Sequence, residues 1–428
     1  MRFRRFSLYL LCFPHSFKTQ SCRYHTVTEL VLIRINGTDK PGLTANITAI
    51  LAQYDVRILD IGQAEIHDTL SLGILAAIPD NSESAAVLKD LLFRVHELGL
   101  SAKFTPVTEE SYNDWVGCQG KPRHIITLLG RTIDANAIAR ITTIVAGHGL
   151  NIDQINRLSG RVPLGHEDNQ TRACVEFSVR GEADHAAIRA EFLDVARELE
   201  VDIAFQVDDV YRRSRRLVAF DMDSTLIEAE VIDELARAAG VGDQVAEITE
   251  RAMQGELDFK QSFHERMALL RGLNTDVLDD IAAKLPVTEG AERLISNLRA
   301  LGYKTAILSG GFNYFGQYLQ KKLGIDYVYA NELEIEGGLV TGRAIEPVVD
   351  GQRKADLLRE LAEREGIRLE QTIAVGDGAN DLPMLSIAGL GIAFRAKPLV
   401  RENARNSIST LGLDGILYLL GYRDRDII

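Results

Sequence analysis

Two aspartates, Asp221 and Asp223, follow directly after a short apolar run from Leu217 to Phe220. The run predicts a buried parallel strand that leads into a loop. Because residues two apart in an extended segment point the same way, the two carboxylates would converge. Their mutual repulsion would be strong unless a cation or a shared proton relieved it. The pair is therefore a candidate for phosphoryl chemistry, and a turn rich in Asp and Ser is the alternative interpretation.

A hydroxyl and two glycines end the next candidate strand. The run from Lys304 to Leu308 leads into Ser309, Gly310 and Gly311. Glycine lets backbone N–H groups approach a phosphate oxygen closely, and the hydroxyl adds a donor. The same three residues are also common in ordinary turns, so the motif alone is weak evidence for a phosphate site.

A third strand end carries two acids and an amide. After the apolar run from Thr372 to Val375, the glycine-rich loop contains Asp377, Asn380 and Asp381. Such oxygen donors suit Mg²⁺, which takes one or two carboxylates and keeps several waters. Open α/β sheets bind ligands beyond the carboxyl ends of their strands, so this loop would share a crevice with the other two.

Lys354 opens a predicted helix that runs to Arg364. A positive charge at this end of a helix is unfavourable against the helix dipole. The ordinary interpretation is a solvated surface charge. The alternative is a lysine that faces the same crevice as the three strand ends.

In this order, the motifs resemble those of the haloacid dehalogenase-like phosphatases. The pattern is Asp-x-Asp-x-Thr, then Ser-Gly-Gly, then Lys, then Gly-Asp-Gly-x-Asn-Asp. Over residues 217–420 the chain is similar to the phosphoserine phosphatase family of that superfamily. The resemblance implies an α/β fold, with a Rossmann-like parallel-sheet core in a domain at 217–428. A helical cap would be inserted at about residues 232–293.

The resemblance also implies a role for each residue. Asp221 would be the nucleophile that forms an aspartyl-phosphate, and Asp223 would donate and accept the proton. Mg²⁺ would be held by the Asp221 carboxylate, the Asp223 backbone carbonyl and Asp377. The phosphoryl group would be bound by Ser309, Gly310, Gly311 and Lys354. The Mg²⁺ shell, the substrate and Lys354 would be oriented by Asn380 and Asp381.

Substrate choice is expected from the cap. In the family pattern for phosphoserine, Glu230 would meet the ammonium group and Arg266 would grip the carboxylate with two hydrogen bonds. Met253 and Phe259 would form an apolar wall. The alternative for Arg266 is a surface ion pair with a glutamate on a neighbouring turn.

The chain before residue 210 contains a weak internal repeat with a period of about 94 residues. Each copy has the predicted order strand, helix, strand, strand, helix, strand, which is the ferredoxin-like βαββαβ plan. Isoleucines recur at matched positions, as in Ile47 and Ile141. We expect two such domains, at 29–110 and 123–208, with a linker at 111–122.

This front half resembles a tandem pair of ACT domains, small modules that bind amino acids. In the first copy a Pro-Gly turn precedes a helix, and backbone N–H groups there suit a carboxylate. The resemblance implies an effector site at Asp39, Gly42 and Leu43, with L-serine as the expected effector. The second copy has no Pro-Gly pair in its loop at 130–135, which argues against a site there. ACT-like sheets pair edge to edge, so a homodimer is expected; the alternative is that both copies serve only packing or dimerisation.

Composition limits the classes of function. The chain has 428 residues and a net charge of −13, so it lacks the concentrated basic face of a nucleic-acid binder. A basic run within the linker 209–216 is therefore expected to be solvated. No apolar run is long enough to cross a bilayer. The scattered cysteines indicate reduced thiols and a cytoplasmic location; they are Cys12, Cys22, Cys118 and Cys174.

Residues 1–28 carry five Lys or Arg and no acid, around a short apolar run. They lack the long apolar region and small-residue cleavage site of a secretory signal. A disordered or misassigned start is expected, with a targeting peptide as the alternative.

These inferences together predict a cytoplasmic, Mg²⁺-dependent phosphatase that hydrolyses O-phospho-L-serine, the last step of L-serine synthesis. One alternative is a phosphomonoesterase or phosphotransferase for another small substrate, such as phosphohomoserine. The other is an amino-acid sensor whose phosphatase half has decayed.

Overall fold

A computed structural model describes residues 27–79, 84–163, 165 and 171–428. Most of the extension predicted at 1–28 lies outside the described residues, and so do Cys12 and Cys22. The chain divides into two compact units, with the division between Gly120 and Lys121. Across the described residues, no helix has both the length and the apolar character needed to span a bilayer.

The first unit folds as βαββαβ followed by one helix. Its elements are β1 (Val27–Thr38), α1 (Leu43–Gln53), β2 (Arg57–Ile66), β3 (Thr69–Pro79), α2 (Ser84–Glu97), β4 (Ser101–Val107) and α3 (Glu109–Gly117). The strands pair antiparallel in the order β2-β3-β1-β4. Alternation along β1 places Val31, Ile33 and Ile35 in the buried core. Helix α3 overlaps the predicted linker at 111–122, and the Thr108 side chain caps its first turn.

The second unit begins with the same plan. Its first elements are β5 (Arg123–Gly130), α4 (Ala135–Gly147), β6 (Asn151–Arg157), β7 (Ala173–Arg180), α5 (His185–Leu199) and β8 (Asp202–Val207). The sheet order is β6-β7-β5-β8, which matches the first copy. Ile47 and Ile141, matched by the repeat, are both fully buried. The predicted pair of ferredoxin-like domains is confirmed.

The remainder of the second unit alternates strands and helices, and it confirms the predicted parallel-sheet core. Its elements are β9 (Leu217–Phe220), α6 (Val231–Ala239), α7 (Gly242–Met253), α8 (Phe259–Leu269), α9 (Asp276–Lys284), α10 (Ala291–Ala300), β10 (Lys304–Phe312), α11 (Asn313–Leu323), β11 (Tyr327–Asn331), β12 (Leu333–Glu336), β13 (Leu339–Ala344), α12 (Gly351–Arg364), β14 (Thr372–Gly376), α13 (Leu382–Ile387), β15 (Leu390–Phe394), α14 (Pro398–Asn403), β16 (Asn406–Ile408) and α15 (Ile416–Leu419). Six strands form a parallel sheet in the order β11-β10-β9-β14-β15-β16. Strands β12 and β13 form a separate hairpin that we did not predict.

The register of the central strands aligns the predicted motifs. Phe220 on β9 pairs with Ile307 on β10 and with Val375 on β14. The three strands therefore end side by side at one edge of the sheet. All residues of β9 and β14 are buried, as expected for parallel strands covered on both faces.

Four helices, α6 to α9, form the cap between β9 and α10. The chain enters and leaves this cap through two segments that pair with each other at an Ile227–Val287 bridge. The Glu228 N–H donates to the Pro286 carbonyl at 2.9 Å, and the Thr288 N–H donates to the Leu226 carbonyl at 3.0 Å. We call residues 226–228 and 286–288 the cap hinge, because both chain crossings lie there.

The second ferredoxin-like domain shares its apolar core with the parallel-sheet domain. Leu129, Leu158 and Cys174 belong to the same buried cluster as the helices around the sheet. Asp202 at the start of β8 is also buried, and its carboxylate accepts from the backbone N–H groups of Ser409 and Thr410 at 2.9 and 2.8 Å. The two domains therefore form one compact unit.

The basic run between these two domains is not the solvated linker that we predicted. Arg212 and Arg215 are only 5% and 4% exposed. Arg212 Nη2 donates to Glu176 Oε2 at 2.6 Å, and Arg215 Nη2 donates to Gln206 Oε1 at 3.1 Å. Arg213 remains in solvent. The prediction was wrong for two arginines because their partners lie on β7 and β8, which no local charge pattern reveals.

Candidate active site

Asp221 follows β9 directly, at the edge of the parallel sheet. Its N–H donates to the Val375 carbonyl at 2.9 Å, which ties the loop to β14. Ser224 has a left-handed backbone with a φ of 54°, an uncommon conformation for a residue with a side chain. Next to this turn, the Thr225 hydroxyl donates to Asp377 Oδ1 at 3.1 Å. The first and third strand ends are thus hydrogen-bonded to each other.

Lys354 is fully buried beneath these strand ends. Its Nζ lies 2.8 Å from Asp221 Oδ1 and 2.7 Å from Asp381 Oδ1. Burial alone would lower the pKa of this lysine, but the two adjacent carboxylates reverse the effect and raise the pKa above its ordinary value. The alternative of a solvated surface charge is therefore wrong. The lysine is a buried cation between two acids.

The Ser-Gly-Gly loop has no room for larger residues. Ser309 is fully buried, and its Oγ accepts from the Gly311 N–H at 2.9 Å. A Cβ atom at Gly311 would lie 2.5 Å from Asp223 Oδ2. At Gly310 it would lie 2.9 Å from the Phe259 ring of the cap. Gly310 is required because core and cap approach each other closely there, and Gly311 because the loop lies against the Asp223 carboxylate of the core.

Three carboxylates form an acidic cluster. Oxygens of Asp221, Asp377 and Asp381 lie within 4.8 Å of one another. Burial and the charges of Asp221 and Asp381 raise the pKa of Asp377 to about 7. Burial and Asp221 also raise the pKa of Asp381 to about 7, although Lys354 opposes the shift. One ammonium does not balance this negative charge, and carboxylate oxygens are preferred ligands of Mg²⁺. The cluster therefore fits a magnesium ion.

Asp223 is half-buried beside this cluster. Its Oδ1 accepts from the Val231 N–H at 3.2 Å, at the start of α6. Burial, followed by the charges of Glu230 and Asp221, raises the pKa of Asp223 well above its ordinary value. A carboxyl group that keeps its proton nearer to neutral pH suits proton transfer to a leaving group.

Two charged residues face the site from the cap side. Ser224 Oγ donates to Glu230 Oε1 at 2.7 Å. Arg266 on α8 is half-buried, and its Nε donates to the Ser262 carbonyl at 3.3 Å. Burial lowers the pKa of Arg266, and the charge of Glu230 opposes this shift. Within the described residues the Arg266 guanidinium has no carboxylate within 4.0 Å, so the predicted alternative of a surface ion pair is wrong there.

A cavity of about 700 Å³ brings the predicted residues together. It is lined from the sheet side by Asp221, Asp223, Ser309, Gly310, Gly311, Asp377 and Asn380. From the cap side it is lined by Glu230, Phe259 and Arg266. Lys354 and Asp381 lie beneath its floor. The Met253 side chain lies outside the described residues.

The predicted effector residues lie in the other unit. Asp39 is exposed, Gly42 has a φ of 89°, and the Leu43 side chain is only 4% exposed within the domain core. Leu43 could therefore offer a ligand its backbone but not its side chain. Gly42 caps α1 without a side-chain hydrogen bond, whereas Asp134 caps the matching helix α4 by accepting from the Ala137 N–H.

Sequence comparisons identify the domains. An ACT domain profile matches residues 29–105, a second ACT profile matches residues 122–206, and a haloacid dehalogenase-like hydrolase profile matches residues 218–386. The chain is 42% identical to phosphoserine phosphatase SerB2 of Mycobacterium tuberculosis, over 91% of this chain and 93% of that protein. It is 41% identical to the phosphoserine phosphatase of Streptomyces coelicolor, over 93% of each chain.

The chain belongs to the phosphoserine phosphatase family. It has the long form, with two ACT domains before the hydrolase domain.

Solved structures agree with this assignment to the phosphoserine phosphatase family. A haloacid dehalogenase family hydrolase from Salmonella enterica serovar Typhi is 31% identical and superposes with a TM-score of 0.60, over 69% of this chain and 98% of that one. An unliganded probable phosphoserine phosphatase from Vibrio cholerae is 36% identical with a TM-score of 0.56, over 69% of this chain and 86% of that one.

Several cavity residues of this phosphoserine phosphatase family member were missed from the sequence. They include Asp233, Thr249, Leu257, Lys397 and Leu399. Asp233 lies one helical turn after Glu230, so the i, i+3 spacing would have found it. Lys397 and Leu399 follow β15, and the rule that ligands bind beyond parallel strand ends pointed to that loop as well.

Magnesium binding to this family member should weaken as the pH falls through 7. Asp377 must lose its proton to bind a metal, and its pKa is raised to about 7, so protons compete with Mg²⁺ below that pH. For one such proton we expect the apparent Kd to increase about tenfold between pH 8 and pH 6. Isothermal titration calorimetry in phosphate-free buffer measures this change, and Asp377→Asn should bind more weakly with less pH dependence. A Kd that is the same at both values would contradict the prediction.

Proposed function

We propose that the chain is a phosphoserine phosphatase that hydrolyses O-phospho-L-serine to L-serine and phosphate through an aspartyl-phosphate intermediate. The observation that carries this proposal is a single cavity lined by two kinds of residues. From the sheet it has Asp221, which is held by a buried lysine, and from the cap side it has an acid and an arginine, Glu230 and Arg266. The first suits a phosphoryl group and the second an amino acid. We place the reaction at the last step of L-serine synthesis.

The nucleophile in this proposal is Asp221. Its Oδ1 is held by Lys354 at 2.8 Å and accepts from the Met222 N–H at 2.8 Å. A carboxylate oxygen attacks phosphorus, the bond from phosphorus to the serine oxygen breaks, and an acyl phosphate forms on Asp221. Ser309, Gly310, Gly311 and Lys354 supply donors for the phosphoryl oxygens.

Asp223 is the proton donor and acceptor. In the first step it gives its proton to the departing serine oxygen, so that neutral serine hydroxyl leaves. In the second step it takes a proton from the water that attacks the acyl phosphate, and Asp221 is released. A raised pKa supports both roles, since the group must hold a proton and also lose it.

We propose Mg²⁺ as the cofactor, held by the Asp221 carboxylate, the Asp223 backbone carbonyl and Asp377. When bound, it would screen the negative charges of nucleophile and phosphate from each other. The Asp223 carboxylate is not part of the three-carboxylate cluster, which leaves it available for proton transfer. Asp381 holds Lys354 at 2.7 Å, and we propose that Asn380, on the same loop, orients the substrate.

Substrate choice follows from the cap side of the cavity. Glu230 would bind the ammonium group and Arg266 the carboxylate, because each has the opposite charge. Phe259 packs against Gly310 and closes the apolar wall. One alternative is a phosphatase for another small phosphoester, such as phosphohomoserine, which would use the same chemistry but show a higher kcat/KM for that substrate. The other alternative is an amino-acid sensor whose phosphatase half has lost its activity, which would release no phosphate with or without Mg²⁺.

Asp221→Asn should abolish turnover and the trappable acyl phosphate together, because an amide does not attack phosphorus. We expect kcat to fall by at least about 10³-fold, as when other catalytic nucleophiles are removed. Phosphate release and acid-quenched labelling with ³²P-phosphoserine measure the two effects. Asp243→Asn, at an exposed position on α7, is the matched control and should behave as wild type. Retained labelling in Asp221→Asn would identify another nucleophile.

Arg266→Ala should lose about 2–5 kcal/mol of phosphoserine recognition, the usual loss for a truncated buried charge pair. This equals a decrease in kcat/KM of about 30- to 5000-fold. Phosphoethanolamine lacks the carboxylate, so its kcat/KM should change little in the same variant. Arg251→Ala, a partly exposed arginine of the cap that pairs with Glu256 and Glu265, is the control. Equal losses for the two substrates would argue against a carboxylate-binding role.

We also propose that L-serine binds the first ACT domain, near Asp39 and the backbone at Gly42 and Leu43, and inhibits by feedback. The uncapped start of α1 supports this site. A homodimer is proposed as well, because edge strand β2 exposes Ile61 and Ile66 by 47% and 78%. A monomer mass in light scattering would exclude the dimer.

Asp39→Ala should raise the L-serine concentration for half inhibition by at least about fivefold, the lower range of allosteric coupling. Inhibition is measured at fixed phosphoserine concentration. Glu110→Ala, an exposed acid on α3 of the same unit, is the control. Unchanged inhibition in Asp39→Ala would leave product binding in the active site as the explanation.

A further inference from the structure

Four charged side chains connect the second ACT domain to the cap hinge. Arg131, in the loop after β5, donates from Nη2 to Glu289 Oε2 at 2.8 Å. The same oxygen accepts from Arg395 Nη2 at 2.8 Å. Arg395 Nη1 in turn donates to Glu228 Oε1 at 2.9 Å. We call these four residues the hinge network.

The two acids of this network lie on the two chain crossings of the cap. Glu228 is the last residue of the entering segment, and Glu289 directly follows the leaving segment. Arg395 follows strand β15 of the sheet and has a left-handed backbone with a φ of 44°. Arg395 therefore links both chain crossings of the cap to the parallel-sheet domain. Arg131 links the leaving crossing to the second ACT domain as well.

A second contact restrains the same side of the cap. Asp414 is 1% exposed, and its Oδ2 accepts from Arg172 of the second ACT domain at 2.5 Å. The same oxygen accepts from Arg293 on α10 at 3.0 Å. Helix α10 is the first element after the cap, so the ACT domain holds both the leaving segment and the helix that follows it.

The Arg131 loop corresponds to the loop of the first ACT domain that carries Asp39 and Gly42. In the second domain its helix start is already capped, since Asp134 Oδ1 accepts from the Ala137 N–H at 2.8 Å. Its arginine is engaged with Glu289. The corresponding loops of the two ACT domains therefore differ in their contacts. The loop of the second domain contacts the cap hinge through Arg131.

We propose that Arg131 is a positioning residue of the catalytic cycle. Through Glu289 and Arg395 it restrains the two segments on which the cap moves, and so the second ACT domain sets how much of the enzyme has the cap closed over the cavity. The inference rests on the proposed phosphatase function, because a substrate must enter beneath the cap. The apparent affinity for a ligand is proportional to the fraction of the enzyme in the binding-competent state, which here is the state with the cap closed. A smaller closed fraction therefore weakens apparent binding.

Arg131→Ala should loosen the hinge and weaken substrate binding without disabling the chemistry. We expect amide hydrogen exchange at residues 226–228, 287 and 288 to increase by about threefold or more, as when one of two contacting charges in a network is removed. KM for phosphoserine should increase by a similar factor, and kcat should change by less than about twofold. Exchange is measured by mass spectrometry on the full chain, and kinetics on the same sample.

Arg140→Ala is the matched control. Arg140 pairs with Glu198 at 3.0 Å between the two helices of the same ACT domain. Its removal deletes the same charge from the same domain without touching the hinge network, so wild-type exchange and KM are expected. Arg131→Lys keeps the charge and should recover at least half of the change in KM. If Arg131→Ala does not fold, Arg131→Gln, which keeps a hydrogen-bond donor, takes its place in both measurements.

Wild-type hinge exchange and wild-type KM in a folded Arg131 variant would overturn the proposal. Equal increases in the Arg131 and Arg140 variants would also overturn it, because they would reflect general loss of stability. Failure of the wild-type chain to hydrolyse phosphoserine would reject the proposed function instead. In that case hydrogen exchange at the hinge still decides whether Arg131 restrains the cap.

Discussion

The active site depends on one buried ammonium group between two carboxylates. Lys354 is fully buried and lies within 2.8 Å of both Asp221 and Asp381. A buried lysine is tolerated only when it is paired, and here it also holds the proposed nucleophile in place. With Asp377 added, the acids still outnumber the cation, and burial together with the charges of Asp221 and Asp381 raises the pKa of Asp377 to about 7. The excess negative charge would destabilise the three carboxylates if no cation were bound. The same excess charge would attract a divalent metal.

Sheet topology makes this cluster possible. Strand β9 lies between β10 and β14, so motifs separated by many residues end at one edge. Gly310 then lets the cap approach, because a side chain there would collide with the Phe259 ring, and Gly311 leaves room for the Asp223 carboxylate. The residues proposed for phosphoryl chemistry on the sheet side and those proposed for amino-acid recognition on the cap side thus line one cavity.

The two ACT domains share a fold but differ in their relation to the rest of the chain. The second contributes Leu129 and Cys174 to the core of the hydrolase domain and belongs to its compact unit. The first forms a unit of its own and keeps a helix start without a side-chain cap. The same βαββαβ plan therefore has two different roles. The second ACT domain is packed into the hydrolase domain, and in our proposal the first ACT domain binds an effector.

The sequence by itself determined the paired ferredoxin-like domains, the parallel sheet and the motifs at three strand ends. These features follow from local periodicity and from turn residues, which act over a few positions. Only the tertiary structure decided that Lys354 is buried and that Arg212 and Arg215 are not solvated. Their surroundings come from strands and loops far away along the chain. Charge patterns report how a residue relates to its sequence neighbours, whereas burial and pairing depend on contacts that exist only after the sheet has formed.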